Sequence, residues 1–158
     1  MSNVLLRLHT DNDAPKSLDV FIRAVRETAS NDYTAEQISA WANSDDRDRV
    51  AWTRSRAAAN TQVAEIDGHL AGFIDVAADG YIDMLFVDPS RVRTGIASAL
   101  LAWAETTARA SGAVQLSTHA SITARPFFAA HGFVVVEERK PVLRGIALTN
   151  YLMTAALR

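Results

Sequence analysis

Residues 84–101 read MLFVDPSRVRTGIASALL, an apolar run that passes through a turn and an Arg-flanked glycine directly into a helix. No other stretch of the chain restricts its fold as much. Met84 to Val87 are continuously apolar, and Asp88-Pro89-Ser90 is turn chemistry that ends the run. Gly95 carries no Cβ, so backbone and ligand can approach closely there. Ile96, Leu100, Leu101 and Trp103 then mark one apolar face of a helix. The first amides of such a helix have no partner within it, and anions are stabilised beside them. With Arg91 and Arg93 adjacent, the junction suits a phosphate or pyrophosphate.

The rest of the chain supplies alternating elements. Residues 4–9 read as an edge strand. Asp13-Ala14-Pro15 opens a helix expected to run through Ala29, with an acidic cap candidate and Pro in its first turn. Thr34 with Glu36-Gln37 begins a second helix ending near Trp41, and 45–58 reads as a solvated helix. Residues 61–66 and 70–77 flank Asp67-Gly68, a strong hairpin signal. Asp79-Gly80 turns into a strand over 81–87. After the long helix come a strand at 114–118, a short helix at 123–131, and a hairpin of 133–143 with 146–156 around Arg144-Gly145. The order β-αα-βββ-α-β-α-ββ predicts an α/β (α+β) fold with a mixed sheet of about seven strands and helices on both faces.

Composition sets limits on function. At 158 residues and 49% hydrophobic, one good core and a single domain over 1–158 are expected. A formal charge of -2 advertises neither nucleic acid nor an anionic membrane as partner. The absence of Cys excludes disulfides, thiolate metal sites and a cysteine acyl-enzyme. MSNVLLRLHTDND has neither the basic start nor the long apolar stretch of a signal peptide, so a cytoplasmic protein is the expectation.

The junction resembles motif A of the GCN5-related N-acetyltransferases, Arg/Gln-x-x-Gly-x-Gly/Ala after a strand ending in Val-x-Pro. Val87-Asp88-Pro89 fits the strand end, and Gly95 and Ala97 fit the two small positions. The leading Arg/Gln position falls on Val92, with Arg91 and Arg93 on either side. Residues 121–133, SITARPFFAAHGF, are similar to the family's Asn-x-x-Ala-x-x-x-Tyr-x-x-x-Gly-Phe segment with identical spacing. Ala124, Gly132 and Phe133 match, whereas Ser121 replaces Asn and Phe128 replaces Tyr. The resemblance covers Val63 to the C-terminus, and more loosely the N-terminal part.

That resemblance implies acetyl-CoA as co-substrate, no metal and no covalent intermediate. It implies that the fourth and fifth strands splay and admit the pantetheine arm between them. Backbone groups of Leu85, Phe86 and Val87 would bind that arm, and one N–H would polarise the thioester carbonyl. The amides of Arg93, Thr94, Gly95, Ile96, Ala97 and Ser98, with Arg91 beside them, would hold the pyrophosphate. Ser121 and Phe128 would flank the pantetheine and sulfur.

The amine must lose a proton and the departing thiolate must gain one. Phe128 cannot supply the latter, which leaves Tyr151, His119 and Asp83 as candidates, or water alone. The acceptor pocket implied by the family lies between the first two helices and the last hairpin, with Thr28, Tyr33 and Trp41 as its N-terminal candidates. The partner implied is a small-molecule or peptide amine, and the family is compatible with a homodimer. A non-catalytic acyl-CoA-binding module is the other reading, motivated by Phe128 and Val92.

Overall fold

The computed structural model describes residues 3–157, so the outermost positions of the domain expected over 1–158 lie outside the described residues. Strand β1 (Val4–Leu8) pairs antiparallel with β2 (Thr61–Ile66), and β2 with β3 (His69–Asp75). Asp67 and Gly68 both take positive φ, 52° and 79°, the geometry that lets a two-residue turn follow the twist of its strands. Beyond β3 the sheet divides. The segment expected as one strand over 81–87 is broken at Asp83-Met84 into β4 (Tyr81–Ile82) and β5 (Leu85–Val87). β5 pairs antiparallel with β3, while β4 pairs in parallel with β6 (Gln115–Ser121). β6 continues through β10 (Asn150–Ala156) to β7 (Val134–Arg139). The result is a pair of four-stranded halves, β1-β2-β3-β5 and β4-β6-β10-β7, that part where the chain crosses between them.

The break has a visible cause. One carboxylate oxygen of Asp75, at the end of β3, accepts the amides of Asp83 and Met84 at 2.8 and 3.3 Å. A side chain takes the place of a ladder partner, so the strand can leave β6 without stranding its donors.

Helices cover both faces, as the element order predicts. On one face α1 (Ala14–Arg23), α2 (Ala35–Ala42) and α3 (Arg49–Ala58) bury Leu18, Phe21, Ile38 and Trp52 against Val63 and Phe73. On the other, α4 (Ile96–Ala110) and α5 (Arg125–Ala130) bury Leu100, Leu101 and Phe128 against Ile74, Leu116 and Met153. The helix expected through Ala29 keeps its extent but changes form: α1 widens into a π turn at Ala24–Thr28 and closes with a 3₁₀ turn at Ala29–Asn31. α2 opens with the expected reciprocal cap between Thr34 and Gln37. α3 starts later than residue 45 because Asp48 is its cap, accepting the Ala51 amide at 3.0 Å.

The last hairpin departs from a continuous 133–143 strand. It is interrupted at Lys140-Pro141, where proline has no N–H to give the ladder. It resumes as β8 (Val142–Leu143) paired with β9 (Ile146–Ala147) around Arg144-Gly145, at φ 51° and 78°.

Candidate active site

The parting of the halves leaves one edge of β5 without a strand beside it. Asp88 N donates to Ala71 O at 2.8 Å and Asp75 N to Met84 O at 3.1 Å. With Phe86 opposite Phe73, the alternation of an antiparallel ladder puts the Phe86 amide and carbonyl on β3. The backbone groups of Leu85 and Val87 therefore face the free edge.

The start of α4 opens into the same space. Gly95 caps the helix at φ 87° with no side-chain bond, and a Cβ built there would meet open space. Ala99 is the first amide to reach a carbonyl, that of Gly95, at 3.0 Å. The amides of Ile96, Ala97 and Ser98 thus point outward with the positive end of the helix dipole. Neither Arg91 nor Arg93 is tied into an ion pair among the described residues. The Thr94 hydroxyl donates to Arg91 O and braces the turn from within. Together these elements enclose a cleft of about 660 Å³. It takes in all the expected cofactor-binding residues except Thr94 and Phe128, and adds Thr123 and Phe127.

The turn before α4 is held by Asp88, not offered to a ligand. Arg23 on α1 grips its carboxylate in a fork at 2.9 and 3.1 Å, and Ser90 donates both its amide and its hydroxyl to the same oxygen. Partial burial pushes the Asp88 pKa up, but the Ser90 bonds and the Arg23 guanidinium outweigh it and leave a net downward shift.

A second cavity, of about 280 Å³, adjoins the first and shares Trp41, Leu85, Phe86, Ser121 and Ala124 with it. The shared residues mark the floor where the two meet. Its walls are aromatic: Phe86 meets Phe21 edge-on at 4.9 Å, and Trp41 packs against Tyr33 at 5.4 Å.

The candidates from sequence distribute unevenly over this geometry. Trp41 lines both cavities, and Thr28 lines the first only. Tyr33 lines the second, but its hydroxyl is fully committed, donating to Thr149 O at 2.6 Å and accepting from Ile122 N at 2.9 Å. It ties the second cavity's wall together, and burial raises its phenol pKa. Ser121 accepts the Ala124 amide at 3.0 Å and so orders the entry to α5. Phe128 is buried against Phe133 and lines the second cavity only.

Asp83 and His119 both line that second cavity. Tyr151 lines neither. It lies on the same side of β10 as Met153, facing α4 and α5, with the Arg125 guanidinium 4.4 Å above its ring. The structure thus separates Tyr151 from the two other proton-transfer candidates. Tyr81, not among the candidates from sequence, also lines the second cavity, and its hydroxyl lies 3.0 Å from His119 Nδ1. Arg56 and Asp75 were also missed; their buried ion pair at 2.8 Å sits behind the Asp83-Met84 break. The signal for both pairs is spatial: partners far apart in sequence meet through strand pairing.

A free strand edge and an open helix N-terminus converging in a split sheet define an acetyltransferase of the GCN5-related class. The chain belongs to this family: residues 29–155 match the acetyltransferase (GNAT) domain. It is 40% identical over 153 residues to the uncharacterized N-acetyltransferase YafP of Escherichia coli K12, covering 97% of this chain and 96% of that one. A crystal structure from Rhodopseudomonas palustris, described as a GCN5-related N-acetyltransferase, superposes with a TM-score of 0.95 at 31% identity. That match covers 99% of this chain and 98% of the other. The PaiA N-acetyltransferase of Thermoplasma acidophilum shares the fold, with a TM-score of 0.76 at 19% identity over 98% and 99% of the two chains.

Proposed function

We propose that the protein transfers the acetyl group of acetyl-CoA to a primary amine by direct attack of the amine on the thioester. The free edge of β5 beside the open start of α4 carries this reading, since it offers backbone partners to an extended amide-bearing arm and amides to its diphosphate. The residues present fit such a co-substrate. Leu85 and Val87 have backbone groups on the free edge that would hold the pantetheine, the Ile96, Ala97 and Ser98 amides would receive the pyrophosphate, and Arg91 and Arg93 would neutralise its charge.

Acetyl-CoA supplies the activated acyl carbon. The protein's share is to place the thioester over Leu85 and Phe86 and to bring the amine in through the second cavity, so that positioning carries much of the acceleration. The neighbouring structures of PaiA with coenzyme A and of YncA from Salmonella typhimurium with acetyl-CoA support this choice of co-substrate. We place the reaction in the cytoplasm; among the described residues no helix is long and apolar enough to cross a membrane.

Titration with acetyl-CoA by calorimetry, followed by thiol release across a panel of primary amines, tests the proposal. Saturable binding with amine-dependent release is expected. Binding without release for any amine would favour the non-catalytic acyl-CoA-binding module instead.

A further inference from the structure

We propose that Tyr81 and His119 form the proton relay that makes the acceptor amine nucleophilic, an assignment that rests on the acetyltransferase reading of the second cavity. Tyr81 pairs with Ser117 in the short parallel ladder, and His119 is two residues further along β6 on the same face. Their rings meet at 5.5 Å and the hydroxyl lies 3.0 Å from Nδ1. Both line the acceptor-side cavity, at the point where β4 and β6 begin to part. The backbone needs no such contact, because the parallel ladder is already formed at Tyr81 and Ile82.

The charged groups facing the pair come from both half-sheets. They are Asp83 from the break after β4, Asp75 from β3, and Glu137 and Arg139 from β7. His119 is exposed at the mouth of the cavity, and partial desolvation there, assisted by Arg139, pushes its pKa below the ordinary value against the opposing pull of Asp83 and Glu137. Burial likewise raises the Tyr81 phenol, with Asp83 and Asp75 adding to it. At neutral pH the imidazole is therefore neutral and the phenol protonated, and in the Nε2–H tautomer the phenol donates to Nδ1. That is the state able to take a proton.

The step balances as follows. The alkylammonium gives one proton to Tyr81 Oη while the Tyr81 proton passes to His119 Nδ1, leaving a neutral amine, a neutral phenol and an imidazolium. The amine nitrogen forms a bond to the thioester carbonyl carbon, and the C–S bond breaks with its electron pair on sulfur. The second N–H proton leaves with the thiolate as CoA–SH. The first returns from His119 to solvent. Tyr81 touches the reacting nitrogen, and His119 acts through it.

The experiment measures kcat, KM and their pH dependence for the intact wild type, Tyr81→Phe, His119→Gln and the double variant, with acetyl-CoA and the best amine of the panel. Calorimetry follows acetyl-CoA binding, and NMR follows the His119 imidazole. Each single variant should lose about a hundredfold or more in kcat, the range for positioned acid–base groups. The double variant should be hardly worse than either single one, because the two act as a unit. Acetyl-CoA affinity should not change. Wild-type kcat should fall as pH drops through a value below about 6.5, the ordinary histidine pKa, and His119→Gln should abolish that limb.

By NMR, His119 should titrate higher in Tyr81→Phe, since the lost hydrogen bond favoured its neutral form. An active wild type whose single variants stay within about threefold in kcat, too little for a proton relay, overturns the relay alone. So does a His119 titration indifferent to Tyr81→Phe. A wild type that releases no thiol with any amine overturns the acetyltransferase reading, and the relay with it.

Discussion

The buried pair Arg56–Asp75 should control both stability and turnover, through separable terms. Arg56 Nη1 meets Asp75 Oδ2 at 2.8 Å with both side chains 3% exposed, while the other Asp75 oxygen holds the Asp83 and Met84 amides. Burial raises the Asp75 pKa against the pull of Arg56, and Arg56 Nε has no hydrogen-bond partner among the described residues. The pair is thus an expensive way to fill the space, and breaking it by halves is worse. Asp75→Ala leaves an uncompensated guanidinium, a loss of about 3–5 kcal/mol. In a chain of this size that lowers the thermal midpoint by roughly 6–20 °C. Asp75→Asn keeps an acceptor for the two amides, so it should lose stability but little turnover. Arg56→Met with Asp75→Leu removes both charges, and stability should return to within about 2 kcal/mol of wild type or exceed it. The amides at the break are then uncapped, so kcat/KM for acetyl-CoA should remain low. Calorimetric melting and steady-state kinetics on the three variants read the two terms apart. A midpoint shift below about 2 °C for Asp75→Ala, worth 1 kcal/mol or less, would refute the charge argument. Full turnover in the double variant would refute the role assigned to the break.

The glycine at the start of α4 can be tested against an internal control. Gly95 and Gly112, at either end of α4, share φ near 87° and open space around a built Cβ, so Ala at either should cost about 1–2 kcal/mol in stability. Only Gly95→Ala, or more severely Gly95→Val, should weaken acetyl-CoA binding by calorimetry; equal affinities in both Ala variants would move the phosphate site elsewhere. Acetyl-CoA at a hundred times its dissociation constant should stabilise the fold by about 2.7 kcal/mol, seen as a melting shift of roughly 5–11 °C, whereas NAD should leave the midpoint in place. Tyr151→Phe should keep kcat within about threefold of wild type, below the range of a proton donor, because the ring packs beneath Arg125 outside both cavities. Asp13 accepts both Arg7 nitrogens at 2.7 and 2.8 Å, which holds its pKa well below the usual carboxylate range. Its stabilisation is present above about pH 3.9 and is lost as pH falls through the depressed folded value. Asp13→Asn should therefore cost about 1.5–3 kcal/mol near neutrality, and urea midpoints of the two proteins should converge in acid.

What was legible in the sequence was what neighbouring residues decide among themselves. The 84–101 junction needs only a strand end, a turn and a glycine, and each is encoded within a few positions of where it acts. The cap of α2 joins Thr34 to Gln37, and the Arg144-Gly145 turn needs nothing outside itself. The break in 81–87 was invisible by contrast. Nothing in Tyr81-Ile82-Asp83-Met84 demands it without Asp75, which reaches across from β3, and Asp75 is buried there only because Arg56 on α3 arrives with it. The interruption at Pro141 was readable in principle, since a proline inside a strand pattern argues against an unbroken ladder.

The position of Tyr151 outside both cavities has the same physical origin and shows where the limit lies. Choosing a proton donor on β10 requires knowing which face of the sheet each residue takes, and a shift of one residue exchanges the faces. Asn150 to Ala156 reads NYLMTAA, with Tyr151, Leu152 and Met153 apolar in succession, so no alternation of apolar and polar residues marks the side toward the cavity. The register decides it: Tyr151 stands opposite Ala120 and packs half-buried in the layer under α4 and α5, while Asn150 reaches the second cavity. Tyr81 is fixed by the same rule from the other direction. Its pairing with Ser117 places it diagonal to His119, and that pairing exists only because the strand switches sheets two residues later. The proposed relay therefore depends on the break that Asp75 holds open, which is why melting and turnover should separate in its variants.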